Sequence, residues 1–164
     1  MLSMVSAYIA EFVGTFMLVF TVGCNALSKA PPAWAPTSVA CTLMVMIYGF
    51  GTVSGGHLNP AVSLAAGLAR KMPWSRVAGY VATQVGAGVA AGFCFTSLLW
   101  DGKVPLGPAA PFHWWQAMIV ETLYTAMLAF VVLSVTSRRN NPERDSNQFF
   151  GLAIGFVEIA GGYG

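Results

Sequence analysis

The residues with the most chemistry to offer lie in one stretch, Ser54-Gly55-Gly56-His57-Leu58-Asn59-Pro60-Ala61-Val62. Asn59 carries side-chain N–H groups that can be offered to a passing oxygen. Carbonyls from Gly55 to Leu58 can serve as acceptors in a row, because glycine leaves the backbone uncovered. A helix starting at Pro60 directs roughly half a positive charge toward the same point. Together these groups suit a narrow path in which a neutral solute exchanges hydration partners while cations are disfavoured. His57 is read as a residue that positions the loop and contributes to the wall of such a path. No second ligand is spaced to make it a metal site.

The surrounding elements must hold this stretch at a useful depth. It lies inside an uncharged run from Ala30 to Ala69, too long for one membrane-spanning helix of about 20 residues. Ser54-Gly55-Gly56 is where that run breaks, since paired glycines leave helical geometry cheaply. Asn59 is a good N-cap, and Pro60 suits the first helical position. From Pro60 to Ala69 a helix reaches roughly 15 Å, half the hydrocarbon core. The expectation is a spanning helix, a loop at membrane depth and a half-helix leading back out. Irregular backbone survives there only when buried in protein or lining a water-filled cavity.

Composition agrees with a membrane location. The chain is 56% hydrophobic and 9% charged, against about 25% charged in soluble domains. Its net charge of +2 and lack of basic runs give no nucleic-acid face. Cys24, Cys41 and Cys94 fall in apolar segments and read as small buried hydrophobes. Met1 to Ala7 has no positive n-region of a cleaved signal. Spans are expected at about Ser6–Cys24, Thr37–Val53, Val77–Trp100, Trp114–Ser137 and from Phe149 onward. A polar turn covers Arg138–Asn147. The five tryptophans, at 34, 74, 100, 114 and 115, sit at span ends, as in an aromatic belt. Gly79, Thr83, Ala87 and Ala91, with Gly88-x-x-x-Gly92, read as helix-packing stripes in the third span.

The string Ser54–Val62 resembles the first signature loop of the aquaporin and aquaglyceroporin (major intrinsic protein) family. Tyr80 and Gln84 followed by Gly86-Ala87 resemble its third span. An internal repeat fits too: Glu11, Thr15, Met17, Leu18 and Phe20 recur 110 residues on as Glu121, Thr125, Met127, Leu128 and Phe130. An offset of three spans, from the first to the fourth, makes the repeats inverted, an architecture that places solute sites near the midplane. The resemblance implies an all-α membrane fold, an aquaporin-like inverted-repeat bundle. Five spanning helices and one re-entrant half-helix are expected, with the family's second half-helix and sixth span missing. Residues 1–164 then form a single transmembrane domain. Its first repeat covers about 6–100, with the re-entrant loop at 54–69, and a partial second repeat covers about 114–164. The chain ends just after Gly161-Gly162 without a polar tail, which reads as a cut.

The same resemblance implies site residues. Gly55, Gly56, His57, Leu58, Asn59, Pro60 and Ala61 would form the pore loop, and Asn59 one of two asparagines meeting at the pore centre. Glu11 and Glu121, as intramembrane carboxylates, are either a proton relay or a brace accepting loop N–H bonds; the resemblance favours the brace. Counting back from the signature, Val39 and Gly162 fall at selectivity-filter positions, where a valine and a glycine leave a wide, weakly polar constriction. Glu158 has three open roles: facing the pore, pairing with another subunit, or lying protonated in a helix interface. Six cationic residues in two loops (Arg70, Lys71, Arg76, Arg138, Arg139, Arg144) oppose Lys29 and Lys103. This places the N-terminus and the Asn-Pro-Ala loop on the cytoplasmic side.

Two function classes follow. One is a passive channel for water or small uncharged solutes such as glycerol, a homotetramer by resemblance. The other is a truncated, non-transporting subunit of a larger membrane complex. No cofactor or metal is implied, and no nucleophile–base pair or phosphate loop supports an enzyme.

Overall fold

The computed structural model describes residues 4–28, 31–99, 104, 107–108, 110–137 and 149–163. The expected turn at Arg138–Asn147, together with Lys29, Lys103 and Trp100, lies outside the described residues. The elements are helices: α1 (Met4–Leu27), α2 (Ala35–Ser54), α3 (Pro60–Leu68), α4 (Trp74–Phe93), α5 (Trp114–Val135) and α6 (Phe150–Tyr163). A short 3₁₀ turn, Pro32–Trp34, leads into α2, and a π-helical stretch, Cys94–Leu99, prolongs α4. Four segments are long and apolar enough to cross a membrane: Met4–Leu27, Pro32–Ser54, Trp74–Ser97 and Trp114–Val135. The fifth expected span is the apolar 14-residue α6, about 21 Å long at 1.5 Å per residue.

Helix α1 packs between α4 and α2, α2 packs on α6, and α6 on α5. The nine-residue α3 lies across this arc and touches both α4 and α5. Its ends follow from local chemistry. Asn59 caps the start, with Pro60 at the first helical position. At the other end Arg70 is left-handed, with φ 55°. There Lys71 N–H donates to Ala66 O and Arg70 N–H to Gly67 O, the paired bonds of a Schellman stop. Lys71 Nζ reaches on to Leu133 O at 2.8 Å. A cation thus meets the carbonyl end of α5, the favourable sign for its dipole.

Small residues set how closely the helices approach. Ala87 and Ala91 of α4 are fully buried, and Gly79 lies under Tyr8 of α1. Gly92, by contrast, has nothing within 4 Å of where a Cβ would stand. The Gly88/Gly92 pair therefore makes little of the close contact its spacing suggests: a Cβ at Gly88 would just meet Val19 Cγ2 of α1, at 4.0 Å. Gly151 and Gly155 of α6 receive Tyr48 and Met44 of α2. Among the cysteines, Cys24 and Cys94 are half-buried. Cys41 is exposed, on the outer side of α2, and not the buried hydrophobe expected.

A core of Leu43, Ile47, Leu58, Val62, Leu128, Val132 and Ile154 gathers α2, α3, α5 and α6 around the loop. Leu58, 2% exposed, sits against Gly14 of α1, where an added Cβ would stand 2.5 Å from Leu58 Cδ2. Gly14→Val is therefore expected to push the loop off α1. A destabilisation of about 1–3 kcal/mol is the usual size of such overpacking. Thermal unfolding in detergent would show it, and a wild-type melting temperature would contradict this packing.

Candidate functional site

The segment between α2 and α3 turns on unusual dihedrals. Gly55 and Gly56 have φ of 96° and 61°, and Leu58 has φ 50°. Glycine takes the first two without penalty. A leucine in the left-handed region costs roughly 1–2 kcal/mol, so something must hold it. The holder is Glu11, 0% exposed in the N-terminal third of α1. Glu11 Oε1 accepts from Ser54 Oγ at 2.6 Å and from His57 N–H at 2.9 Å. Oε2 accepts from Leu58 N–H at 2.7 Å and from Gln84 Nε2 at 2.8 Å. All four partners donate, and a carboxylate offers four lone-pair sites and no donor of its own.

A second layer fixes those donors. Ser54 Oγ accepts from Gly56 N–H, and Tyr80 Oη donates to Ser54 O at 2.6 Å. Gln84 Nε2 also donates to Ser63 Oγ, which lies 3.1 Å from His57 Nδ1. The His57 ring meets Tyr80 edge to face, with centroids 5.3 Å apart. His57 thus braces the loop through Ser63 and Tyr80, and it also borders a small cavity beside Asn59.

Asn59 is extended, with φ −151° and ψ 128°, and its Oδ1 accepts from Ala61 N–H at 2.8 Å. A backbone N–H can only donate, so the amide oxygen must face it and the NH₂ must point away. That NH₂ has no hydrogen-bond acceptor among the described residues. Asn59 borders a cavity of about 220 Å³ shared with Glu121, Thr125 and Glu158. The arrangement therefore presents amide donors to open space at the positive end of a half-helix.

Val39, buried, and Gly162, exposed, line one further cavity of about 440 Å³ with Asn25 and Glu158. Gly162 is also a crossing point: a Cβ there would stand 2.6 Å from Pro36 Cβ. Glu121 is exposed at the rim of the 220 Å³ cavity. Unlike Glu11, it accepts no loop N–H among the described residues. Within those residues no group of His, Cys, Asp and Glu side chains could hold a metal ion. His113, read as interfacial, is exposed at the start of α5, where its N–H donates to Gln116 Oε1.

Sequence reasoning used Ser54, Tyr80 and Gln84 only as a helix break and a register mark, not as partners of Glu11. Their signal was present: a glutamine within an apolar span must find hydrogen-bond partners. Gln84 is 1% exposed.

Membrane-length helices around a half-helix and an anchored loop define an integral, multi-pass membrane protein. The family profile described as Major intrinsic protein matches residues 1–162. Aquaporin NIP1-3 of Oryza sativa subsp. japonica is 36% identical over 160 residues, covering 90% of this chain and 52% of that protein. Aquaporin NIP3-1 of Arabidopsis thaliana is 33% identical over 168 residues, 93% of this chain and 50% of the relative. Aquaporin NIP2-1 of Zea mays is 35% identical over 159 residues, 90% and 50% respectively. The chain belongs to the major intrinsic protein family, and it spans about half the length of these relatives.

Proposed function

We propose that the chain forms a passive transmembrane pathway for water and small uncharged solutes such as glycerol. The observation that carries this reading is the orientation of Asn59. Its oxygen is consumed by Ala61 N–H, which leaves amide donors facing a cavity at the N-terminus of α3. A solute oxygen can accept there in single file, while the helix dipole disfavours cations. The relatives' name, aquaporin, supports water as one permeant. Val39 and Gly162 form the wide constriction on this reading, and Glu11 is the loop brace. Glu121 serves as the matching brace of an inverted second repeat. The N-terminus and the Asn59 loop lie on the cytoplasmic side, and the assembly is a homotetramer.

The test is osmotic response of vesicles carrying the 164-residue chain, followed by light scattering. Shrinkage in sucrose and re-swelling in glycerol are expected to be faster than in protein-free vesicles. Rates equal to protein-free vesicles would sink the channel reading for this chain and favour a non-transporting subunit of a larger complex.

A further inference from the structure

One intramembrane carboxyl has no part in the loop anchor. Glu158 lies within α6, one helical turn before Gly162 and on the same face. It borders the cavity of about 440 Å³ with Val39, Asn25 and Gly162, and that of about 220 Å³ with Asn59. It also borders a third, of about 60 Å³, with His57 and Asn59. Among the described residues no other side chain lines all three. Glu158 is half-buried, and among the described residues no Lys or Arg lines any of these cavities. It has no hydrogen-bonded partner among the described residues. Asn25, in the largest cavity, has a buried Nδ2 that likewise lacks one. The route from Val39 to Asn59 thus joins the amide donors of Asn59 with two carboxyl acceptors, Glu158 along the route and Glu121 at the rim of the cavity beside Asn59. A hydroxyl both donates and accepts, so this lining complements it on both counts.

We propose that Glu158 is a specificity-determining residue that contacts the solute. Its oxygens accept hydrogen bonds from solute O–H or N–H groups between the Val39/Gly162 constriction and Asn59. The path therefore favours small neutral polyols and amides, such as glycerol and urea, relative to water. This rests on the channel reading above, so the test needs an arm that does not depend on flux.

That arm is carboxyl modification of the reconstituted full chain with a water-soluble carbodiimide and a hydrophilic amine, mapped by peptide mass spectrometry. Glu158 is expected to be modified and Glu11, 0% exposed, to be spared. Glycerol, but not sucrose, is expected to slow reaction at Glu158. Glu158 as unreactive as Glu11, or reactive with no protection by glycerol, would overturn the proposal even if the vesicles conduct nothing. In conducting vesicles, Glu158→Val is expected to lower the glycerol-to-water permeability ratio about tenfold, about 1.4 kcal/mol. Glu158→Gln keeps one acceptor oxygen and should lose less. An unchanged ratio in Glu158→Val, with both permeabilities above protein-free vesicles, overturns the assignment. Permeability absent from the wild type, with glycerol protection intact, sinks the channel reading and leaves Glu158 facing a solute-accessible space.

Discussion

Glu11→Gln is expected to weaken the fold in a graded way that Glu11→Ala exceeds. The reason is which donors can adapt. Ser54 Oγ and the Gln84 amide can each turn and present an oxygen. His57 N–H and Leu58 N–H cannot, and they address different carboxylate oxygens. Whichever end the new NH₂ occupies, one backbone N–H is left facing a donor. An orphaned buried donor costs about 1–3 kcal/mol. Leu58, held left-handed against Gly14, loses part of what keeps it there. Alanine removes both acceptors and leaves a cavity, so its cost rises to about 4–8 kcal/mol, two such donors plus lost packing. Melting temperatures in detergent, with limited proteolysis at residues 55–58, would show the order wild type, Gln, Ala. A proton relay predicts something else: wild-type stability for Gln, and loss of function as complete as with Ala. That outcome would overturn the anchor role.

How much of this was legible in the sequence follows from what each signal depends on. Asn59-Pro60 marked the start of α3 to the residue, because an N-cap and a proline at the first helical position act locally. Helices α1, α2, α4 and α5 extend one to three residues beyond, or stop two short of, several expected ends. Apolar composition sets that a helix spans, while its last turn depends on what it meets. Trp74 begins α4 where Val77 was expected, since Pro73 can precede a helix start but cannot continue one. The Glu11 cluster joins residues on α1, α2, the loop and α4, so no spacing rule reaches it. The orientation of Glu158 was likewise undecidable from one helix. Alternation on α6 gives a face, but only the packing of α6 on α2 and α5 shows that this face meets the cavities. Gly162 illustrates a residue with two reasons to be small: it borders a cavity and it lies under Pro36.

Asn59→Asp separates the chemistry of the site from its architecture. Asp and Asn are comparable N-caps, so one carboxylate oxygen can still accept from Ala61 N–H and α3 should start where it does now. The change falls on the other side of the group. The NH₂ that faces the cavity is replaced by an acceptor oxygen, and a full negative charge stands where the half-helix supplied roughly half a positive one. A permeating oxygen loses its donor, and a cation gains a partner in a setting of reduced dielectric. The expected result is a melting temperature close to wild type, a several-fold fall in water and glycerol permeability, and sodium or potassium leak at least tenfold above background. The leak follows from attraction: a tenfold gain requires only about 1.4 kcal/mol. That is well below the interaction of two charges about 4 Å apart at intermediate dielectric. Vesicle light scattering and a cation-sensitive dye read the two effects separately. If both permeabilities and the cation leak stay at wild-type values while the protein remains folded, Asn59 does not face the permeating species, and its amide serves only to cap α3.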